Sequence, residues 1–420
     1  MFKTAHHFRV SLERLRGRSA GDIGGANHRG GFVGIPWWQQ LRLTGIRIGN
    51  TMVGPLFAFA RRSPKGGWLP PRRILVLKTC CMGDVLFITP LLAALKHAYP
   101  DSHLTVATSA GCIPVIAHNP RVDAIIEVAA RTPLKQAWRL AQRFRALRFD
   151  LAVVPDRSLP LGAVVWLAGI PRRAGMDSDG RGMFYTDRVR VAPDDYTQHE
   201  VALCAAVGAV IGAPLPPGQS TEYYPAADAL AYVDTLIAER GWHAPLWVIH
   251  PGGGINAGTS LPAKRWSPMR FAALVDELRN AHGGTVLLIG APTDADAVRA
   301  VVAAMDGPAV NLTGLLNFDR SLALARRAAL YVGNDSGMTH VANAGGTPTV
   351  MIFGPTSPAQ YGLWGGHGMM AVGHVPWSPC WRNGKFLCTC GTIRCMEAVT
   401  VDAVRAAAEE TLRRASEAAR

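Results

Sequence analysis

No part of the chain leaves fewer structural options open than residues 331–356, YVGNDSGMTHVANAGGTPTVMIFGPT. The apolar approach from Ala328 to Val332 reads as a buried parallel strand. It stops at Gly333-Asn334-Asp335-Ser336-Gly337, a cluster of residues that form turns and cap helices. A short helix is expected from Met338 to Ala344, with His340 one turn in. Gly345-Gly346-Thr347-Pro348 ends it, and residues 349–353 form a second strand. A strand, a glycine-containing turn and a helix start make an anion site, because unpaired N–H groups and the helix dipole face the ligand. Asp335 and His340 border that site and suit hydroxyls and phosphates. The same pattern also fits an ordinary βαβ turn with a capping Asp-Ser.

Upstream, the chain alternates strands and helices in two series. The first opens at Arg72. Residues 74–77 form a strand, Lys78-Thr79-Cys80-Cys81-Met82-Gly83-Asp84 follow, and residues 85–99 carry leucines at helical spacing. Thr89 as N-cap with Pro90 at the first helical position accommodates the proline. Asp84 therefore lies just past the first strand, where open α/β sheets place functional groups. Helix capping is the other common use of an aspartate there. Strands follow at 104–108, 124–128 and 151–154, and helices at 113–118, 134–147, 163–168 and 201–211. Residues 176–187 read as a loop, and His199 as a capping or packing residue. Pro214, Pro216, Pro217 and Gly218 break the pattern. It restarts with helices at 226–240, 268–282 and 294–305 and strands at 247–250, 286–290 and 311–313. A glycine-rich turn, Pro251-Gly252-Gly253-Gly254, follows the strand ending at His250. Two α/β series around a Pro/Gly hinge predict two Rossmann-like domains facing a cleft. No GxGxxG follows residues 74–77, which argues against a dinucleotide-dependent dehydrogenase.

The net charge of +14 on 420 residues is concentrated at one end. Residues 1–73 hold 13 Lys or Arg against Glu13 and Asp22, a local +11, so the folded part need not bind nucleic acid. This Gly-, Arg- and Trp-rich extension fits a disordered leader. It also fits a membrane-surface element, with Trp37, Trp38, Leu56 and Phe57 in the interface and arginines on anionic lipid. Its apolar run at 46–60 is shorter than the ~20 residues a bilayer span needs. No signal-peptide pattern precedes it, so reduced thiols and a cytoplasmic setting are expected. Of 8 cysteines, Cys380, Cys388, Cys390 and Cys395 crowd one C-terminal segment. Clustered reduced thiols favour a structural metal over disulfides, yet paired CxxC knuckles are missing, so reduced structural cysteines remain the alternative.

Taken in order, Gly83-Asp84 with Thr89-Pro90, HPGGG, KRW, NDSGMTHVA, and GTP with FGPT resemble the lipopolysaccharide heptosyltransferases, glycosyltransferase family 9, from about Arg72 onward. The resemblance implies a GT-B fold and inverting transfer of a sugar, a heptose, without a catalytic metal or other cofactor. It implies a nucleotide diphosphate sugar donor, ADP-heptose, and a lipopolysaccharide or other lipid-linked envelope glycan acceptor at the inner face of the cytoplasmic membrane. Asp84 matches the family's catalytic base and Lys264 its phosphate-contacting lysine. Ser336, Gly337 and Met338 match the helix start that receives the leaving diphosphate, and Asp335 and His340 match donor-binding positions. Lys78-Thr79 and Cys80-Cys81 depart from the family pattern, which bears on acceptor recognition. Many relatives carry a similar cysteine-rich stretch, and a related group that glycosylates autotransporters holds iron on four cysteines. The expected plan is a basic extension (1–71), an acceptor domain (72–218), a donor domain (219–376), and a Cys-rich segment with a final helix packed back on the first domain (377–420). The alternatives are a sugar-nucleotide binding protein without catalysis and a nucleotide-sugar epimerase of similar build.

Overall fold

The computed structural model describes residues 67–131, 134–192, 197–256, 259–366, 368–376, 378–382, 385–386, 388 and 393–418. The basic extension before residue 67 lies outside the described residues. Two six-stranded, all-parallel sheets organise the rest. The first holds β1 (Arg73–Leu77), β2 (His103–Thr108), β3 (Ala124–Glu127), β4 (Leu151–Val154), β5 (Arg172–Asp177) and β6 (Asp187–Arg190), in the order β3-β2-β1-β4-β5-β6. The second holds β7 (Leu246–His250), β8 (Thr285–Leu288), β9 (Val310–Asn311), β10 (Leu330–Asn334), β11 (Thr349–Phe353) and β12 (Met369–Val372), in the order β9-β8-β7-β10-β11-β12. Each is the doubly wound dinucleotide-type order. Central strands such as β4 and β7 are buried along their whole length, as their continuous apolar runs require.

Helices follow the strands. In the first lobe these include α1 (Met82–Leu86), α2 (Thr89–Ala98), α3 (Leu134–Ala146), α4 (Leu159–Leu167) and α5 (Glu200–Ala209), with the short expected helix at Ile113–Ile116 between α2 and α3. The second includes α6 (Ala227–Arg240), α7 (Pro268–His282), α8 (Ala295–Ala304), α9 (Phe318–Arg326), α10 (Gly337–Ala344), α11 (Pro358–Tyr361) and α12 (Val401–Ala418). His199 caps α5, its Nδ1 accepting from Val201 N at 3.1 Å. Its Nε2 then donates to Gly362 O across the lobes at 2.9 Å. Thr89 is the first residue of α2 rather than its cap, and its hydroxyl donates to Leu86 O at 2.8 Å.

Several elements differ from expectation. Strands β5 and β6 flank the stretch 176–187 read as a loop, overlapping it only at Met176, Asp177 and Asp187, and neither they nor α9 were anticipated. The final helix packs on β10, β11, β12 and α7 of the second lobe, not on the first. Val404, Ala407 and Ala408 complete the apolar layer behind the second sheet with Trp247, Ile249 and Phe271. The approach is fixed by Trp266 Nε1 donating to Val399 O at 2.9 Å and Arg270 donating to the carbonyls of Glu397 and Val399.

Candidate active site

In each sheet the chain order reverses between two central strands, β1/β4 and β7/β10. The loops leaving the carboxyl ends there are where such sheets bind ligands. Both reversal points face one cavity of about 630 Å³. Asp84 and Phe87 line it from the first lobe; His250, Lys264, Asp335 and Met338 line it from the second.

On the first side, Asp84 sits in the opening turn of α1. It is half-buried, and among the described residues no hydrogen bond reaches its carboxylate. Burial pushes its pKa up to about 6; Lys78 opposes the shift, and the carboxylates of Glu200 and Asp156 add to it. Buried Lys78 pairs with Asp156 at 3.2 Å and donates to Pro155 O at 3.2 Å. Burial alone would lower its pKa, but Asp156, Asp84 and Glu200 outweigh that and raise it. Arg157 pairs with buried Glu200 at 3.0 Å, and Gln360 of the second lobe donates to the same carboxylate at 2.9 Å.

On the second side, Asn334 is fully buried and ties two loops together. It accepts from Trp266 N at 2.9 Å and donates to Pro251 O and Gly252 O at 2.9 and 3.0 Å. Asp335 beside it pairs with Lys264 at 2.7 Å, accepts from Thr356 Oγ1, and lies 3.5 Å from His340 Nε2. Burial would raise the Asp335 pKa, yet Lys264 and His340 hold it well below the carboxylate range. Ser336 caps α10, with Thr339 Oγ1 anchored on Asn334 O at 2.7 Å. Gly337 and Met338, whose first-turn amides have no acceptor within α10, line the cavity. His340 stands edge-on to Phe87 across the lobes, ring centroids 5.0 Å apart.

The glycine-rich turn after β7 is held by Asp294, a residue the sequence reading passed over. Asp294 accepts from Gly253 N at 3.1 Å, Ala291 N at 3.1 Å and Arg265 at 2.9 Å, and faces His250 Nε2 at 3.5 Å. Against burial, His250 and the backbone donors bring its pKa down to about 2. Gly253 has φ +95°, a conformation that side chains resist, and a Cβ there would lie 2.8 Å from Ser336 Cβ.

All seven predicted site residues thus border one cavity: Asp84, Lys264, Asp335, Ser336, Gly337, Met338 and His340. The cysteine cluster is a different matter. Cys380 and Cys395 are buried and Cys388 half-buried, while Cys390 lies outside the described residues. Among the described residues no group of three or more His, Cys, Asp or Glu side chains is assembled to hold a metal. Nor is any helix there long and apolar enough to cross a membrane.

Two doubly wound lobes, with a carboxylate on one wall of the cleft and a helix-start anion site on the other, define a GT-B glycosyltransferase architecture. The profile of glycosyltransferase family 9 (heptosyltransferase) matches residues 137–388. Lipooligosaccharide heptosyltransferase 2 of Haemophilus influenzae is 30% identical over 305 residues, covering 69% of this chain and 84% of that protein. Lipopolysaccharide heptosyltransferase 2 of Salmonella typhimurium is also 30% identical over 305 residues, 68% and 84%. A glycosyl transferase family 9 structure from Veillonella parvula superposes with a TM-score of 0.71 at 23% identity, covering 81% of this chain and 97% of that one. The E. coli ADP-heptose lps heptosyltransferase II structure gives 0.66 at 22% identity, covering 82% and 99%. The chain belongs to glycosyltransferase family 9, the heptosyltransferase family. It is a glycosyltransferase, and the epimerase reading falls away.

Proposed function

We propose that this enzyme transfers a heptose from ADP-heptose to a lipopolysaccharide-core acceptor, with inversion and without a metal ion. The observation that carries the reading is the meeting, in one cavity, of an unbonded carboxylate from the first lobe and a helix-start anion site from the second. Asp84 takes the proton of the acceptor hydroxyl as that oxygen attacks the anomeric carbon. The diphosphate leaves on the opposite face. Lys264 and the amides of Gly337 and Met338 stabilise its charge, which a catalytic metal would otherwise do. Asp335 keeps Lys264 aimed, and His340 and Ser336 complete the donor wall. The relatives' names support this donor and acceptor class. The +11 of residues 1–73 supports a peripheral position on the anionic inner face of the cytoplasmic membrane, where a lipid-linked acceptor is anchored.

A base with a pKa near 6 works only when ionised, so kcat/KM falls as pH drops through about 6. Asp84→Asn is expected to keep ADP-heptose affinity while losing roughly a hundredfold to ten-thousandfold in rate, with the acidic limb gone. Chelation with EDTA is expected to leave the wild-type rate unchanged. Near-native turnover in Asp84→Asn excludes Asp84 as the base, and absence of transfer in the wild type favours a binding-only protein.

A further inference from the structure

Cys80 and Cys81 lie between β1 and α1, both half-buried, with their Sγ atoms 2.9 Å apart. Neighbouring side chains in extended backbone point to opposite faces, so adjacent thiols seldom meet. They meet here because Cys81 adopts φ +65°, the left-handed region, as it turns the chain into α1. Cys81 lines the cavity and Cys80 does not. The Cys81 carbonyl accepts from Val85 N at 3.0 Å, which makes Cys81 the first fixed point of the short helix that carries Asp84. The hydrogen bond from Cys81 lowers the Cys80 pKa to about 7 against the effect of burial, while Cys81 is raised. Cys112 and Cys204 are buried, so a solution reagent meets the vicinal pair before them.

We infer that Cys80 and Cys81 form a vicinal dithiol site that reacts with low-molecular-weight disulfides and, once closed to a Cys80–Cys81 disulfide, arrests transfer. Cys80 thiolate attacks one sulfur of the small disulfide, whose S–S bond breaks and releases one thiolate. Cys81 gives its proton to solvent and attacks Cys80 Sγ, displacing the second small thiol. The protein loses two electrons and two protons, and the small disulfide becomes two thiols. The new bond closes a small ring through the Cys80–Cys81 peptide, so the φ of Cys81 must refit and the first turn of α1 moves with it. A displacement near 1 Å at a reacting group is enough to cost on the order of 100-fold in rate.

The inference rests on the transfer reading for its activity arm only. Wild-type protein is incubated with oxidised glutathione, alkylated and cut with trypsin without reduction. The peptide of residues 79–96 is expected to lose the mass of two hydrogen atoms. Transfer from ADP-heptose falls in parallel by on the order of 100-fold, and dithiothreitol restores both. Cys80→Ser removes the attacking thiolate and keeps its transfer through the same treatment. A peptide that never gains the internal bond overturns the inference, as does a closed disulfide with undiminished transfer or a Cys80→Ser enzyme that is still inactivated. The mass change does not depend on the substrate. A wrong donor or acceptor shows instead as missing transfer before any oxidant is added.

Discussion

At the scale of residues, Asp335 and Asp84 show two opposite uses of a carboxylate in one cleft. Asp335 is buried and kept ionised by Lys264, so its contribution to stability is present above the unfolded carboxyl pKa of about 4 and is lost as pH falls through its depressed folded value. Asp84 is raised, so the cost of its burial is absent below the unfolded carboxyl pKa of about 4, grows as pH rises from there, and is fully present above about pH 6. Lys264→Ala leaves the buried Asp335 with only Thr356 and His340. We expect it to lower stability by about 1–3 kcal/mol and to weaken ADP binding. Thermal melts and calorimetry with ADP check both; an unchanged melting temperature and affinity would remove Lys264 from the donor wall. Asp84 and Asp335 could be picked from the sequence because each follows an apolar strand at a turn. Asp294 and Asn334 could not be assigned their roles that way. Their bonds reach 41 and 83 residues along the chain, to Gly253 and Pro251, and no local pattern announces a partner at that distance.

At the scale of elements, the turn after β7 works because two glycines let the backbone lie against Asp294 and Ser336. A Cβ at Gly252 would fall within the Asp294 carboxyl group, which cannot yield without giving up Gly253 N, Ala291 N and Arg265. Gly252→Ala is therefore expected to cost about 1–3 kcal/mol by overpacking and to weaken ADP binding as the turn shifts. Denaturant midpoints and ADP titration measure the two effects; wild-type values for both would show that the turn adapts freely. Central strands were readable because burial on both faces demands unbroken apolar runs. Strands β5 (RRAGMD) and β6 (DRVR) lack such runs. Arg173 is buried by turning its guanidinium onto the carbonyls of Phe184 and Pro171, a solution invisible in composition. Helix α9 did carry a signal, Asn317 capping Arg320 N at 2.9 Å, in a stretch too short to stand out.

At the scale of the whole molecule, the amphipathic pattern of α12 was plain, but which sheet it would cover was not, because both sheets offer an apolar outer face. Removing residues 401–420 uncovers the layer that Val404, Ala407 and Ala408 close. The loss of that burial should destabilise the second lobe by on the order of 3 kcal/mol or more. Limited proteolysis should then cut residues 246–376 first. An equally resistant truncated protein would place the helix elsewhere in solution. With α12 on the second lobe, the described chain passes from one lobe to the other once, through the stretch between α5 and α6. Proteins divided this way can be shuffled like cards. A single genetic crossover at residues 214–218 would join one enzyme's first lobe to another's second lobe without severing a strand of either sheet. The bridging contacts of His199 with Gly362 and Glu200 with Gln360 would then decide which halves are compatible.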